Sequence, residues 1–337
     1  MINYLSNLRV LAIFLVVLGH VAIPYLYELH VTSFTNWSIV NFISAVARLS
    51  VPVFVMITGA LLLGRIEPLD LFLKKRLTRI LRPFIFWTIA YIIFHFTWAG
   101  NEITTSEVVR KTVHAFFKEA DYHFWFIYMI LGLYLFMPIL RLWIVNAKER
   151  DIRYFLFLWL ITTFYNDYTK VYLPVVDLIY FSKYVGYLVL GYYIHKFIKP
   201  NTYTNWVGAL MLFIGVLSTY LLTEIFSFRD GELNTVFLNL TLLNNALSSC
   251  GAFLLGMYFL NRSHKIVEKI DKNIFGIYFV HVMILKILSA YFFIDKFDYS
   301  PMMTIVYISV FTLVVFFLSF LIIHLLRKVP VLDKWVN

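Results

Sequence analysis

Charge is scarce in this sequence. Only 14% of the 337 residues are charged and 61% are hydrophobic, whereas about 25% of residues are charged in soluble globular domains. Apolar runs long enough to cross about 30 Å of hydrocarbon recur along the whole chain, and no stretch of soluble-domain size separates them. We therefore predict an all-α polytopic membrane protein in which residues 1–337 form a single transmembrane domain.

Cysteine is nearly absent as well. Cys250 is the only one, and it lies in an apolar run. This excludes a disulfide or a thiolate metal site within one chain. The sequence also lacks the GxSxG turn of α/β-hydrolases, a phosphate-binding glycine loop and the HExxH helix of zinc proteases. We expect no metal and no permanently bound cofactor.

Acidic residues are outnumbered by basic ones, with 19 Asp and Glu against 29 Lys and Arg and a net charge of +10. In a soluble protein such an excess favours nucleic acid as a partner. Here most cations lie in short loops between apolar runs, where they set the orientation of membrane helices. We therefore expect contact with membrane lipid and none with nucleic acid.

The apolar runs predict about ten transmembrane helices. We place them at 8–27, 39–63, 80–98, 124–144, 154–166, 175–195, 206–226, 236–260, 273–294 and 302–326. The loop at 64–79 is rich in Lys and Arg, whereas the preceding loop, at 24–38, has neither. By the positive-inside rule the 64–79 loop is cytoplasmic, and the same alternation of later loops places both termini in the cytoplasm.

Arg9 and His20 lie in the first apolar stretch, at 8–23. Their spacing of about 11 residues is close to three helical turns, so both side chains lie on one helix face, roughly 16 Å apart along the axis. The residues between them are all apolar or small. A guanidinium at one end of a membrane helix and an imidazole past its middle mark this helix as a candidate functional element.

Four ionisable side chains inside predicted spans are candidate functional residues: His20, Arg48, His281 and Lys286. A charged side chain at the centre of a span costs about 2.5–3.5 kcal/mol on insertion scales, so each is expected to face a cavity or a partner. For each one taken alone, a hydrogen bond between helices is the simpler explanation. Arg48 and His20 both fall in the predicted outer half of the membrane, where they can meet.

Arg48 opens a stretch that favours a cavity wall. Pro52, four residues on, frees a backbone carbonyl and kinks the helix. Thr58 and Gly59 let neighbouring helices approach. A kinked helix beside a buried charge is typical of a cavity.

Arg76, Arg79 and Arg82 follow one another at steps of three, roughly on one face at the end of a helix. Clustered guanidiniums suit phosphate groups because they offer planar, paired donors with a permanent charge. Membrane topology and anionic lipid headgroups account for the same residues equally well.

Five motifs in order resemble the acyltransferase-3 family of integral membrane acyltransferases. They are Arg9 and His20 with ten residues between them; Arg48-Leu-Ser-Val-Pro-Val-Phe-Val-Met-Ile-Thr-Gly; Lys75-Arg-Leu-Thr-Arg-Ile-Leu-Arg-Pro; Phe124-Trp-Phe with Tyr134 and Pro138; and Phe275-Gly-Ile-Tyr-Phe-Val-His. The motifs extend from residue 9 to residue 281. The sequence is most similar to the group that O-acetylates bacterial surface polysaccharides. Thr58 stands where the family more often has Ser, and it keeps the hydroxyl.

The resemblance implies transfer of an acyl group, most often acetyl from acetyl-CoA as co-substrate, to a hydroxyl of a cell-surface or lipid-linked glycan. It also implies a multi-pass protein of the plasma membrane, the inner membrane of a bacterium. His20 is expected to act as general base on the acceptor hydroxyl, since an imidazole titrates near neutral pH. Arg48 is expected to polarise the acyl carbonyl or to orient the acceptor. Whether His20 is itself acylated first stays open.

The same resemblance assigns the binding residues. Arg9, with Arg76, Arg79 and Arg82, is expected to hold the phosphates of the acyl-CoA at the cytoplasmic mouth. The residues expected to line the substrate cavity are Thr58, Trp125, Tyr278 and His281.

Two other classes of function fit part of the pattern. Buried Arg and His side chains, a central proline and aromatic residues suited to carbohydrate also fit a glycan exporter or flippase of the cell envelope. Against a transporter, the second half of the chain has no counterpart of the helix that carries Arg9 and His20. A scaffold of a polysaccharide synthase is the third possibility, and it predicts that His20→Ala folds normally and changes no activity.

Overall fold

The computed structural model describes residues 3–99, 110, 112–113, 115–116, 118–168, 183–292 and 300–337. All regular structure in these ranges is helical. The helices are α1 (Asn3–Leu26), α2 (Phe34–Ala47), α3 (Ser50–Leu62), α4 (Leu69–Ala99), α5 (Trp125–Asn146), α6 (Glu149–Tyr168), α7 (Tyr184–Phe197), α8 (Thr202–Asp230), α9 (Leu243–Phe259), α10 (Lys265–Asp271), α11 (Ile274–Phe292), α12 (Pro301–Leu326) and α13 (Asp333–Val336). Short 3₁₀ turns precede α5 and α9.

The all-α polytopic class is confirmed, because eight described segments are long and apolar enough to cross a membrane. They are Asn3–Leu26, Phe34–Leu62, Leu69–Trp98, Tyr122–Asn146, Thr202–Asp230, Val236–Phe259, Ile274–Phe292 and Pro301–Leu326. The predicted fifth span, 154–166, lies within α6. The predicted sixth span, 175–195, lies partly outside the described residues, and its remainder falls in α7. The total of ten and the cytoplasmic termini stay predictions.

The chain forms two compact units. The first contains Met1–Ile66, Ile139–Asp271 and Ile294–Leu313, and the second contains Glu67–Pro138, Lys272–Phe293 and Val314–Asn337.

Within the first unit, α3 and α7 pack with their backbones in direct contact. A Cβ atom built on Gly59 would lie 1.9 Å from the carbonyl oxygen of Leu188, and one built on Gly191 would lie 2.0 Å from that of Met56. Only glycine fits at such distances. This packing confirms the prediction that the stretch around Gly59 lets helices approach closely.

Pro52 explains a break in the first unit between α2 and α3. An α-helix would need the N–H of residue 52 to donate to the carbonyl of Arg48, and proline has no N–H. The regular helix ends at Ala47 and resumes at Ser50. On either side the helical bonds continue, from Arg48 N–H to the Ser44 carbonyl and from Val53 N–H to the Leu49 carbonyl, both at 3.1 Å. The regular helix is therefore interrupted just before Pro52, and Arg48 lies at this break.

In the second unit, α4 packs against α11. The ring of Trp87 stacks on that of Phe279 at a centroid distance of 6.3 Å, and the hydroxyl of Tyr91 donates to the Phe279 carbonyl oxygen at 2.9 Å. The helix begins at Leu69 rather than at residue 80. Most of the basic stretch predicted as the 64–79 loop is therefore helical, so its cations point in directions fixed by the helical period.

Candidate functional site

His20 and Arg48 lie next to the contact between α1 and α2. Gly19 packs against Ala47 so closely that a Cβ built on Gly19 would lie 3.1 Å from the Ala47 Cβ. His20 follows Gly19 on α1, and Arg48 follows Ala47 at the helix break. Both side chains are partly accessible. The structure thus brings the two predicted catalytic residues to the same level of the first unit.

Two phenol groups, those of Tyr27 and Tyr184, lie near the guanidinium of Arg48. Thr58 lies on the adjoining helix α3, and its hydroxyl donates to the Phe54 carbonyl oxygen at 2.9 Å, one turn earlier. This bond uses the hydroxyl proton of Thr58 within its own helix. The hydroxyl oxygen can therefore contact a ligand only as a hydrogen-bond acceptor.

Arg9 lies on the same unbroken helix as His20, as predicted. Its Nη2 donates to the Asp271 Oδ2 at 2.9 Å and to the Ser6 Oγ at 3.3 Å. The Asp271 side chain is only 3% exposed, so this ion pair ties α1 to α10. A phosphate at Arg9 would compete with that carboxylate.

Tyr278 and His281 lie on α11 among aromatic rings of the second unit. The Tyr278 hydroxyl donates to the His123 carbonyl oxygen. Nδ1 of His281 lies 2.6 Å from the Tyr278 carbonyl oxygen, and because a carbonyl only accepts, Nδ1 carries a proton. His281 is completely buried, Tyr278 is 6% exposed, and Trp125 is half-buried. Their predicted role in lining a substrate cavity stays a prediction.

Asp121 forms a charged cluster in the second unit that the sequence did not reveal. Its carboxylate pairs with Lys286 and lies 3.2 Å from Nε2 of His95. Burial alone raises the pKa of this carboxyl, but hydrogen bonds from His95 and Lys286 outweigh burial and hold the pKa well below its usual value. Lys286 was a predicted intramembrane charge, and Asp121 is the partner that stabilises it.

A basic cavity of about 800 Å³ lies in the second unit. Its charged lining residues are seven cations, Lys74, Lys75, Arg79, Arg82, Lys272, Arg327 and Lys334, and one carboxylate, Asp333. The remaining lining residues are Leu71, Thr78 and Asn337. Because Asp333 is bonded to Arg327 at 2.7 Å, the cavity is strongly positive and suits an anion with several charges.

Arg76 does not line this cavity. It is buried, its Nη2 lies 3.8 Å from Oε2 of Glu67, and its guanidinium lies over the Phe72 ring. A step of three residues rotates the side-chain direction by about 60° from a full turn, so two steps separate Arg76 from Arg82 by about 120°. The structure places Arg79 and Arg82 at the cavity and leaves Arg76 outside its lining.

Five cavity cations were not predicted as phosphate ligands: Lys74 and Lys75 beside the predicted arginines, and Lys272, Arg327 and Lys334 elsewhere in the chain. They carried a visible signal, since all are cations in segments predicted to be cytoplasmic, but that signal was assigned to topology alone. Nothing in the sequence indicated that segments so far apart meet. Among the described residues, no group of three or more His, Cys, Asp or Glu side chains is placed to hold a metal ion.

One comparison with known proteins identifies a match. The family model Acyl_transf_3, whose description is "Acyltransferase domain", matches residues 2–324. Comparison with the curated proteins and with the solved structures finds no match. The family match covers nearly all of both units and all the predicted site residues.

Proposed function

The chain belongs to the acyltransferase-3 family of membrane acyltransferases, and we propose that it transfers an acetyl group from acetyl-CoA to a hydroxyl of a cell-surface or lipid-linked glycan. The bond that forms joins the acceptor oxygen to the acetyl carbon, and the bond that breaks is the thioester. Free CoA leaves as the thiol. The proposed location is the plasma membrane, the inner membrane of a bacterium.

His20 is the proposed general base. A neutral imidazole takes the proton of the acceptor hydroxyl as the hydroxyl oxygen attacks the thioester carbon, and it returns that proton to the departing thiolate. Such a base accelerates a reaction by about 10²- to 10⁴-fold.

Arg48 is the proposed stabiliser of the negative charge that develops on the acyl oxygen. A guanidinium is permanently charged and holds its donors in a fixed fork, so it is preorganised for that role. The observation that carries the proposal is the contact of Gly19 with Ala47, which supports a joint role for His20 and Arg48. The position of Arg48 at the break between α2 and α3 further supports its role as the stabilising group.

Arg79 and Arg82 are the proposed ligands of the donor phosphates. Both line the basic cavity, and each provides a planar fork of donors that matches phosphate oxygens. Arg9 and Arg76 are weaker candidates because each already faces a carboxylate of its own unit.

The deciding experiment compares wild type with His20→Ala in detergent. Release of free CoA from acetyl-CoA is measured with and without extracts of the host's surface glycans. We expect His20→Ala to lose at least about 100-fold in rate while it still binds acetyl-CoA and runs as the same folded species. His264→Ala, which removes an exposed histidine, is the matched control and retains the wild-type rate.

Two outcomes would contradict the proposal. If His20→Ala releases CoA as fast as wild type, the general-base role is wrong. If wild type neither binds nor consumes acetyl-CoA even with the native glycan supplied, the acyl-CoA-dependent reaction is wrong, and a glycan-transport assay then tests the exporter.

A further inference from the structure

The last residues of the sequence, 327–337, are here called the tail segment. They lie beyond the matched residues 2–324, and they pack against other segments of the second unit, to which they belong. The Trp87 indole N–H donates to the Val336 carbonyl oxygen at 3.1 Å. The Asn337 amide oxygen accepts from the Gly276 N–H at 2.9 Å, and its amide nitrogen donates to the Lys272 carbonyl oxygen at 2.6 Å. Val336 is fully buried.

Arg327 fixes the course of the tail segment. Its Nε donates to Oδ1 of Asp333 at 2.7 Å, which ties the two ends of the turn that leads into α13. Its Nη1 donates to the Lys272 carbonyl oxygen at 2.5 Å and to the Asn273 Oδ1 at 3.1 Å. With Nε and Nη1 engaged in these bonds, Arg327 acts as a positioning residue that joins the tail segment to the start of α11.

This anchoring places two lysines at the wall of the basic cavity. Lys334 belongs to the tail segment, and Lys272 is the residue whose carbonyl oxygen accepts the hydrogen bond from Arg327 of that segment. Both side chains are exposed. In the part of the chain that the structure describes, neither forms an ion pair with a carboxylate. Two unneutralised ammonium groups beside Arg79 and Arg82 repel one another and favour a polyanion between them.

We propose that the tail segment forms a wall of the phosphate site, in which Lys334 and Lys272 bind a ligand that carries several phosphate charges. The ligand chemistry is a phosphate cluster, supplied either by the nucleotide part of the acyl donor or by an anionic phospholipid headgroup. In the first case the inference rests on the proposed function. Because the ligand contacts the tail segment only when that segment is packed against the second unit's helices, ligand binding and packing of the tail segment stabilise each other.

The test uses the full chain in a neutral detergent and measures the Kd of CoA by calorimetry. We expect Lys334→Gln and Lys272→Gln each to raise that Kd by about 3- to 10-fold, the range for one charged contact at a partly exposed site. Lys265→Gln removes an exposed lysine of α10 that does not line the cavity, and it leaves the Kd unchanged.

Hydrogen exchange provides a second readout that a merely structural role would not produce. Trp335 N–H donates to the Leu332 carbonyl oxygen at 2.8 Å, and Val336 N–H donates to the same oxygen at 3.0 Å. We expect CoA to slow exchange of these two amides in wild type. In Lys334→Gln the same CoA concentration slows it less.

Repeating the titrations with short-chain cardiolipin, whose headgroup carries two phosphate groups, distinguishes the two sources. A raised Kd for CoA with an unchanged Kd for the lipid supports the nucleotide, and the reverse supports the headgroup. If Lys334→Gln and Lys272→Gln bind both probes as wild type does, the inference is wrong. If wild type nevertheless releases CoA from acetyl-CoA, the proposed function stands and only this inference fails. If wild type binds CoA through Lys334 but transfers no acyl group, the inference stands and only the proposed function fails.

Discussion

Asp121 keeps a negative charge at the edge of a membrane span because a lysine and a histidine contact its carboxylate directly. Its side chain is only 3% exposed, and it pairs with Lys286 and His95. Its other oxygen accepts from the Tyr122 N–H at 2.8 Å, at the first turn before α5. The residue therefore links three segments of the second unit, and its charge holds them only while it stays ionised.

We expect Asp121→Asn to destabilise the protein by about 1–3 kcal/mol, because it leaves the Lys286 ammonium without its carboxylate. The midpoint of thermal unfolding in detergent at pH 7, followed by intrinsic fluorescence, measures the loss. Asp70→Asn, which changes an exposed carboxylate of the same unit, is the control and shifts the midpoint little. Equal shifts in the two variants would contradict this account of Asp121.

The same residue predicts a pH dependence. Hydrogen bonds from His95 and Lys286 hold the pKa of Asp121 below its ordinary value of 3.8 despite burial. Since a carboxyl with a depressed pKa stabilises the folded state above that ordinary value, its contribution is lost as the pH falls below about 4. The difference in melting midpoint between wild type and Asp121→Asn should therefore be full at pH 7 and shrink below pH 4.

At the level of helices, the close contact between α3 and α7 depends on two glycines, because glycine has no side chain. Gly59 and Gly191 allow each helix to approach the backbone of the other. A methyl group at either position must push the helices apart, which removes van der Waals contacts along the whole interface.

We therefore expect Gly59→Ala and Gly191→Ala each to lower stability by about 1–3 kcal/mol. Gly132→Ala is the matched control, because Gly132 lies on α5 with nothing within 4 Å of the added methyl group. There the substitution leaves stability unchanged or raises it by about 0.5–1 kcal/mol, since alanine favours the helix. Melting midpoints of the three variants in one detergent compare them, and a loss at Gly132 as large as at Gly59 would refute the packing argument.

For the whole molecule, the orientation in the membrane is the prediction that most needs a direct test. Glu232→Cys falls in a loop predicted to face outward, and Lys265→Cys falls in a segment predicted to be cytoplasmic. We expect a membrane-impermeant maleimide to label Glu232→Cys in intact cells and Lys265→Cys only after permeabilisation. Cys250 is buried, so wild type gives a low background. The opposite labelling pattern would invert the predicted topology.

Many features were visible in the sequence because they depend on neighbouring residues. The hydrophobic content required membrane helices, Arg9 and His20 fell on one helix, and Pro52 predicted the break that carries Arg48. Helical period and missing N–H groups act within a few residues, so their effects follow from local sequence.

Only the tertiary structure decided which charges meet. The carboxylates of Asp271 and Asp121 lie far in sequence from Arg9 and Lys286, and nothing local selects these partners. The same holds for the basic cavity, where Lys334 joins Arg79 because Trp87 and Gly276 anchor the tail segment. The sequence alone determined that this is an all-α membrane protein with buried charges in its spans. Folding decided their partners, because electrostatic pairing depends on distance in space.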